Sequence, residues 1–99
     1  MREVTRKTVS AFLNGRKLTN GNTSTDGKKL YLHGNCIAKR ENGNIYVNNC
    51  GWETTTTKER INGVFNVLGR WNDAVYQKNF VWYYKNGVEF PCDEWVKVI

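Results

Sequence analysis

The side chains able to do acid–base or nucleophilic work are few and scattered. His33 is the only histidine. It sits beside Gly34 in a turn-like stretch, where a local hydrogen bond accounts for it better than a general base, which needs an oriented partner. Ser10 and Ser24 are the only serines, and neither stands in a nucleophile-elbow context. Asp93 and Glu94 are adjacent, so on a strand they point to opposite faces, a poor arrangement for paired acid–base work. Cys36, Cys50 and Cys92 are odd in number, widely spaced and never in a C-x-x-C pair. They read as reduced, mostly packed thiols, not as a disulfide framework or a zinc site. No P-loop, G-x-G-x-x-G or H-E-x-x-H run occurs. The sequence assigns no catalytic residue, no cofactor and no metal, and the expectation is a protein that is not an enzyme.

Binding chemistry is better represented. Arg6 and Lys7 lie at the first predicted helix, and Arg16 and Lys17 follow it directly. Lys29 and Lys39 alternate with Tyr31, Ile37 and Tyr46 on short β-favouring runs. Aromatic rings stack bases and ammonium groups neutralise phosphates, which is what a single-strand platform on a sheet requires. The competing reading puts Tyr31, Ile37 and Tyr46 beneath a helix, with lysine stems snorkelling outward. Lys58 and Arg60 stand near the start of the second predicted helix, against its macrodipole. With Thr55, Thr56 and Thr57 they form a candidate phosphate site, since free amides and hydroxyls converge there.

Four tryptophans are many for so short a chain. Trp71, Trp82, Tyr84 and Trp95 form the alternative site, an aromatic patch that docks on a host protein or a second copy of the chain. Phe80, Trp82 and Tyr84 share one face of their strand, while Val81 and Tyr83 occupy the other.

Val9, Phe12 and Leu13 mark a short helix over about residues 5–13, ended by Gly15. Runs at about 22–25, 29–32, 36–40 and 45–49 are separated by Asp26-Gly27, His33-Gly34-Asn35 and Asn42-Gly43, which predicts a four-stranded meander. A two-residue turn at Asn42-Gly43 sets Ala38 opposite Val47. A three-residue loop over His33–Asn35 then aligns Leu30, Leu32, Cys36, Ala38, Ile45 and Val47 on one face, leaving Lys29, Tyr31, Ile37, Lys39, Tyr46 and Asn48 on the other. Thr56 as N-cap with Glu59 three residues on, or Thr55 in its place, opens a second helix. Ile61, Val64, Phe65 and Leu68 continue it to Gly69, and Gly63 inside it costs about 1 kcal/mol against alanine. The tail reads as strands at 74–76, 80–84 and 88–90, with a last one within 95–99. The fold class is α+β: one small domain, residues 1–99, with an antiparallel sheet built on the meander, two helices and a C-terminal aromatic hairpin.

Size and charge narrow the function. Ninety-nine residues make two separate cores improbable. Fifteen Lys and Arg against nine Asp and Glu leave a net charge of +6, which favours a polyanionic partner. No apolar run approaches the roughly 18 residues a bilayer span needs, and the N-terminal run is too short for a signal peptide. A cytoplasmic protein without a membrane partner is expected.

Two stretches carry a resemblance. Leu32-His33-Gly34-Asn35-Cys36-Ile37-Ala38 and Gly51-Trp52-Glu53-Thr54-Thr55-Thr56-Thr57-Lys58-Glu59-Arg60-Ile61-Asn62-Gly63 resemble an LHGN-x-IA … GW-x-T-x-TT-x-x-RIN pattern in small bacteriophage-encoded proteins. Cys36 and Cys50 depart from it. The resemblance implies a phage or prophage origin and expression in the bacterial host cytoplasm, and it implies no activity. The expectation is a non-catalytic phage protein that binds DNA or RNA through Arg6, Lys7, Arg16, Lys17, Lys29, Tyr31, Lys39, Tyr46, Lys58 and Arg60. The alternative is an inhibitor of a host defence system or host enzyme, acting through the tryptophan patch.

Overall fold

Turn chemistry and apolar alternation build most of the larger of two sheets. The computed structural model describes residues 1–99. Strands β1 (Leu18–Asn20), β2 (Thr23–Thr25), β3 (Lys29–Leu32), β4 (Asn35–Glu41) and β5 (Asn44–Val47) form an antiparallel meander, and β9 (Val96–Lys97) returns to pair with β5. The four expected meander strands are β2 to β5, and β1 extends them at one edge. Asn42 and Gly43 have φ of 52° and 80° and close the β4–β5 hairpin, with Ala38 opposite Val47 as the turn requires.

The β3–β4 hairpin differs from expectation in an instructive way. His33 and Gly34 alone make its turn, with φ of 51° and 80° and Leu32 opposite Asn35. A bulge then leaves Ile37 unmatched between the Tyr31–Cys36 and Leu30–Ala38 pairs. One extra residue in one strand restores the facing that the three-residue loop was meant to supply. Leu30, Leu32 and Ala38 are buried as expected. Ile37 and Cys36, however, exchange sides: Ile37 is 1 % exposed, and Cys36 pairs with Tyr31 toward the outer face.

Helix α1 (Glu3–Leu13) turns Thr5, Thr8, Val9, Ala11 and Phe12 inward. Helix α2 (Thr55–Val67) buries Ile61, Val64 and Phe65. Its N-cap is Thr54, one residue before the earlier of the two expected caps, and the Thr54 hydroxyl accepts from the Thr57 amide at 3.1 Å. Glu59 is thereby released from a capping box and faces α1 instead. Gly63 has a packing reason: a Cβ there would run into Thr5 Cγ2 and Val9 Cγ2, where the helices approach each other.

After a 3₁₀ turn (Trp71–Asp73), β6 (Tyr76–Lys78), β7 (Val81–Tyr84) and β8 (Val88–Glu89) form a second, three-stranded sheet. The Asn62 side chain ties its approach to α2, donating to the Val75 carbonyl at 2.9 Å and accepting from the Val75 amide at 2.7 Å. Phe80 leaves the expected strand and sits with Asn79 in the β6–β7 turn at φ of 66° and 53°, 90 % exposed. Val75, Trp82 and Phe90 join the same apolar cluster as Phe12, Leu30, Val47 and Phe65. The chain is an α+β fold around one core. No helix is long and apolar enough to cross a membrane.

Candidate nucleic-acid interface

Strand pairing sets one row of side chains across the face of the larger sheet that neither helix covers. Lys29 on β3 is opposite Lys39 on β4, Lys39 is opposite Tyr46 on β5, and Tyr46 is opposite Lys97 on β9. The row spans three strand spacings, about 14 Å. A second row on this face joins Thr19, Ser24, Tyr31 and Cys36. Lys39 directs its ammonium 5.5 Å from the Tyr46 ring centroid and 4.4 Å from that of Trp95, and it pairs with Glu41 at 3.5 Å. Lysines directly across a pair of strands destabilise a sheet.

The cations near α1 adjoin this face. Arg6, Lys7, Arg16 and Lys17 line one open concavity of about 290 Å³. Lys17 also lines the next, with Thr19, Ser24 and Tyr31. Lys17 thus connects the α1 cluster to the tyrosine on the sheet. Besides Glu41 at Lys39, two acids border the path. Glu3 pairs with Arg6 at 2.5 Å and Lys7 at 3.7 Å, and the Arg6 hydrogen bond holds its carboxyl below the usual range. Asp26 accepts from the Lys28 and Lys29 amides at 2.9 Å each, which lowers it likewise.

Arg60 does not belong to the surface. It is 2 % exposed, and its guanidinium donates to the hydroxyls of Thr23 at 2.8 Å and Thr5 at 3.0 Å and to the Glu59 carboxylate. The assignment to phosphate binding is corrected: the side chain is consumed in tying α2 to α1 and β2. Lys58 is half-buried on α2, apart from the sheet row. The tryptophan patch is likewise dispersed. Trp82 is 1 % exposed and packs against Phe90, because β7 is the central strand of its sheet and turns this ring into the core. Tyr84 is half-buried, edge-on to Phe90 at 5.3 Å. Trp95, 40 % exposed, stands with Lys39 on the larger sheet, and Trp71 projects from the 3₁₀ turn at 62 %. Burial raises the Cys36 and Cys50 thiols, whereas Cys92 is exposed.

A separate cavity of about 360 Å³ lies between the β3–β4 turn and the start of α2. Leu32, His33, Asn35 and Ile37 line it from the hairpin, and Trp52, Thr54, Thr56 and Thr57 from the other side. Of the expected phosphate site, only Thr56 and Thr57 line this cavity; Thr55 and Lys58 line a different concavity with Glu59 and Asn62, and Arg60 lies apart from both.

A sequence model of the Kyanoviridae Gp96 protein family matches residues 1–97. The chain belongs to that family. Kyanoviridae Gp96 proteins are small and phage-encoded, so the origin implied by the two sequence stretches holds. No curated protein and no solved structure matches the chain. In this Kyanoviridae Gp96 chain, sequence reasoning missed Lys97, Thr19 and Ser24 as neighbours of the lysine–tyrosine rows. The β5–β9 pairing that brings Lys97 in joins segments about fifty residues apart, and no local pattern encodes it.

Proposed function

We propose that this phage protein binds single-stranded nucleic acid along a track from the α1 concavity, past Lys17 and Tyr31, to the Lys29–Lys39–Tyr46–Lys97 row. One observation carries the reading: a like-charged pair, Lys29 opposite Lys39, sits beside tyrosines on the sheet face that no helix covers. The pair costs stability, and a bound phosphate backbone offsets that cost. Tyr31 and Tyr46 offer ring faces for bases, and stacking of this kind is tolerant of sequence. The +6 charge supplies the long-range attraction.

The test is fluorescence anisotropy with labelled DNA and RNA single strands and duplexes across a salt series. Affinity should fall steeply with salt, by about 0.7 in logarithmic slope for each phosphate neutralised on a single strand. Absence of binding at low salt to every one of these probes would overturn the reading.

A further inference from the structure

We infer that the cavity between the β3–β4 turn and the start of α2 is a nucleobase site, separate from the cationic track. Its lining shares no residue with the track. Trp52 flanks it while remaining 58 % exposed, so its ring face is open to a ligand. Leu32 and Ile37 supply an apolar wall.

Two donors at this cavity lack an acceptor in the protein. α2 begins here, and the Thr54 hydroxyl satisfies only the Thr57 amide. The amide of Thr56, which lines the cavity, donates to no group in the protein. Independently, Asn49 lines the cavity, is 0 % exposed, and has an Nδ2 without any hydrogen-bond partner. Its orientation is fixed, because Oδ1 accepts from the Gly51 amide at 2.9 Å and the Asp93 amide at 2.8 Å. A buried donor left unpaired is costly, and a ligand acceptor relieves it.

These features select the ligand class. Unpaired donors call for carbonyl or ring-nitrogen acceptors, and the exposed indole calls for a planar ring to stack on it. No lysine or arginine lines the cavity, so the ligand need not bring a multiply charged group into it. A nucleobase combines a flat apolar face with an acceptor edge, and the volume lies at the small end of ligand pockets, which run from about 300 Å³ upward. The base can come from a free nucleotide or from an unstacked position in a strand.

The experiment is an amide-correlation NMR titration of the full-length ¹⁵N-labelled protein with nucleoside 5′-monophosphates, then with short single-stranded oligonucleotides. The Asn49 side-chain amide and the Thr56 backbone amide should shift saturably. Trp52→Ala, at an exposed position, should weaken that binding about tenfold, in line with loss of base stacking. Thr56→Val, which leaves the Asn49 hydrogen bonds in place, should weaken it as well. Movement with monophosphates assigns the site to free nucleotides, and movement with oligonucleotides alone assigns it to a strand base. No movement with either probe overturns the inference, and so does affinity unchanged in Trp52→Ala. Oligonucleotide shifts confined to the Lys29, Lys39 and Lys97 neighbourhood, with no monophosphate shifts at the pocket, would overturn the pocket while leaving the track standing. Monophosphate binding without oligonucleotide binding would do the reverse.

Discussion

Lys39 holds its ammonium 4.4 Å from the ring centroid of Trp95, a residue fifty-six positions away in the chain that reaches it only because β9 pairs with β5. The contact fixes the one partly buried lysine of the cationic row and leaves its neighbours Lys29 and Lys97 exposed. The Tyr46 ring centroid lies 5.5 Å from the same ammonium. Charge and aromatic surface are thereby joined on a sheet face that would otherwise have no reason to carry paired lysines.

Cation and ring should therefore separate in binding experiments. Lys29→Gln and Lys97→Gln should each weaken single-strand binding and lower the logarithmic salt slope by about 0.7. Tyr46→Ala should weaken binding about tenfold with little change in slope, since stacking releases no counterions. Equal slopes for the lysine and tyrosine variants would contradict this division.

Arg60 should behave as a structural residue. Arg60→Met keeps much of the volume and removes the hydrogen bonds that Arg60 donates to Thr5, Thr23 and Glu59, so unfolding free energy should drop by about 3 kcal/mol. Arg60→Lys, lacking the planar fork, should recover only part of it. Below its melting temperature the Arg60→Met protein should bind oligonucleotides as wild type does. Weak binding by the folded variant would restore the phosphate role.

Acid should loosen the same network. Burial alone would raise the Glu59 carboxyl, but hydrogen bonds from the Thr5 hydroxyl at 2.5 Å, the Arg2 amide at 3.2 Å and Arg60 outweigh it and hold the group below its ordinary value. A carboxyl depressed on folding contributes fully above its unfolded value of about 4.3, and the contribution is lost as pH falls through the folded value. The urea midpoint should lose the Glu59 contribution only on acidification below about pH 4.3, and Glu59→Gln should make that decline shallower. Glu3 and Asp26 are depressed as well, but both are exposed and screened, so the decline that remains in Glu59→Gln should be salt-sensitive.

The parts of the fold that were legible are those in which local chemistry decides. Asn42-Gly43 dictated its hairpin, and the spacing of Ile61, Val64 and Phe65 dictated the buried face of α2. Errors arose where a tertiary contact chose between local options that a sequence reads as equal. Thr54, Thr55 and Thr56 can each cap α2, and it is Thr54 that does so, bonded to both the amide and the hydroxyl of Thr57. A bulge at Ile37 and a longer loop at His33 satisfy the same alternation of Leu30 and Leu32, yet they send Ile37 and Cys36 to opposite faces. From sequence Arg60 looks like a surface cation because charge is ordinarily solvated, and the acceptors that bury it come from Thr5 and Thr23, remote in sequence. Lys29, Tyr31, Lys39 and Tyr46 were legible together, since neighbouring strands in a meander need only parity to share a face.

Gly63 tests the packing of the two helices. Alanine is better than glycine in a helix by about 1 kcal/mol, so an isolated α2 would gain from Gly63→Ala. Here the added methyl meets Thr5 and Val9 of α1, and overpacking of this kind costs about 1–3 kcal/mol. The Arg60–Thr5 bond would also be displaced. The melting temperature of Gly63→Ala should fall despite the improved propensity, and a rise would show that α1 and α2 lie farther apart than described.

Phe80 offers the opposite case, a substitution expected to stabilise. A bulky side chain at φ of 66° occupies a conformation that costs of order 1 kcal/mol or more, and glycine adopts it freely. The ring is 90 % exposed, so its removal leaves no cavity. Asn79 already holds the first turn position, and Phe80→Gly creates the Asn-Gly pair that such two-residue turns prefer. Its unfolding midpoint should rise by an amount equivalent to about 1 kcal/mol, with the oligonucleotide salt slope unchanged because the turn lies on the second sheet. A stability loss would mean that the Phe80 ring has a packing partner. A gain in stability accompanied by weaker partner binding would instead give this ring a docking role and revive the protein-partner reading for the second sheet.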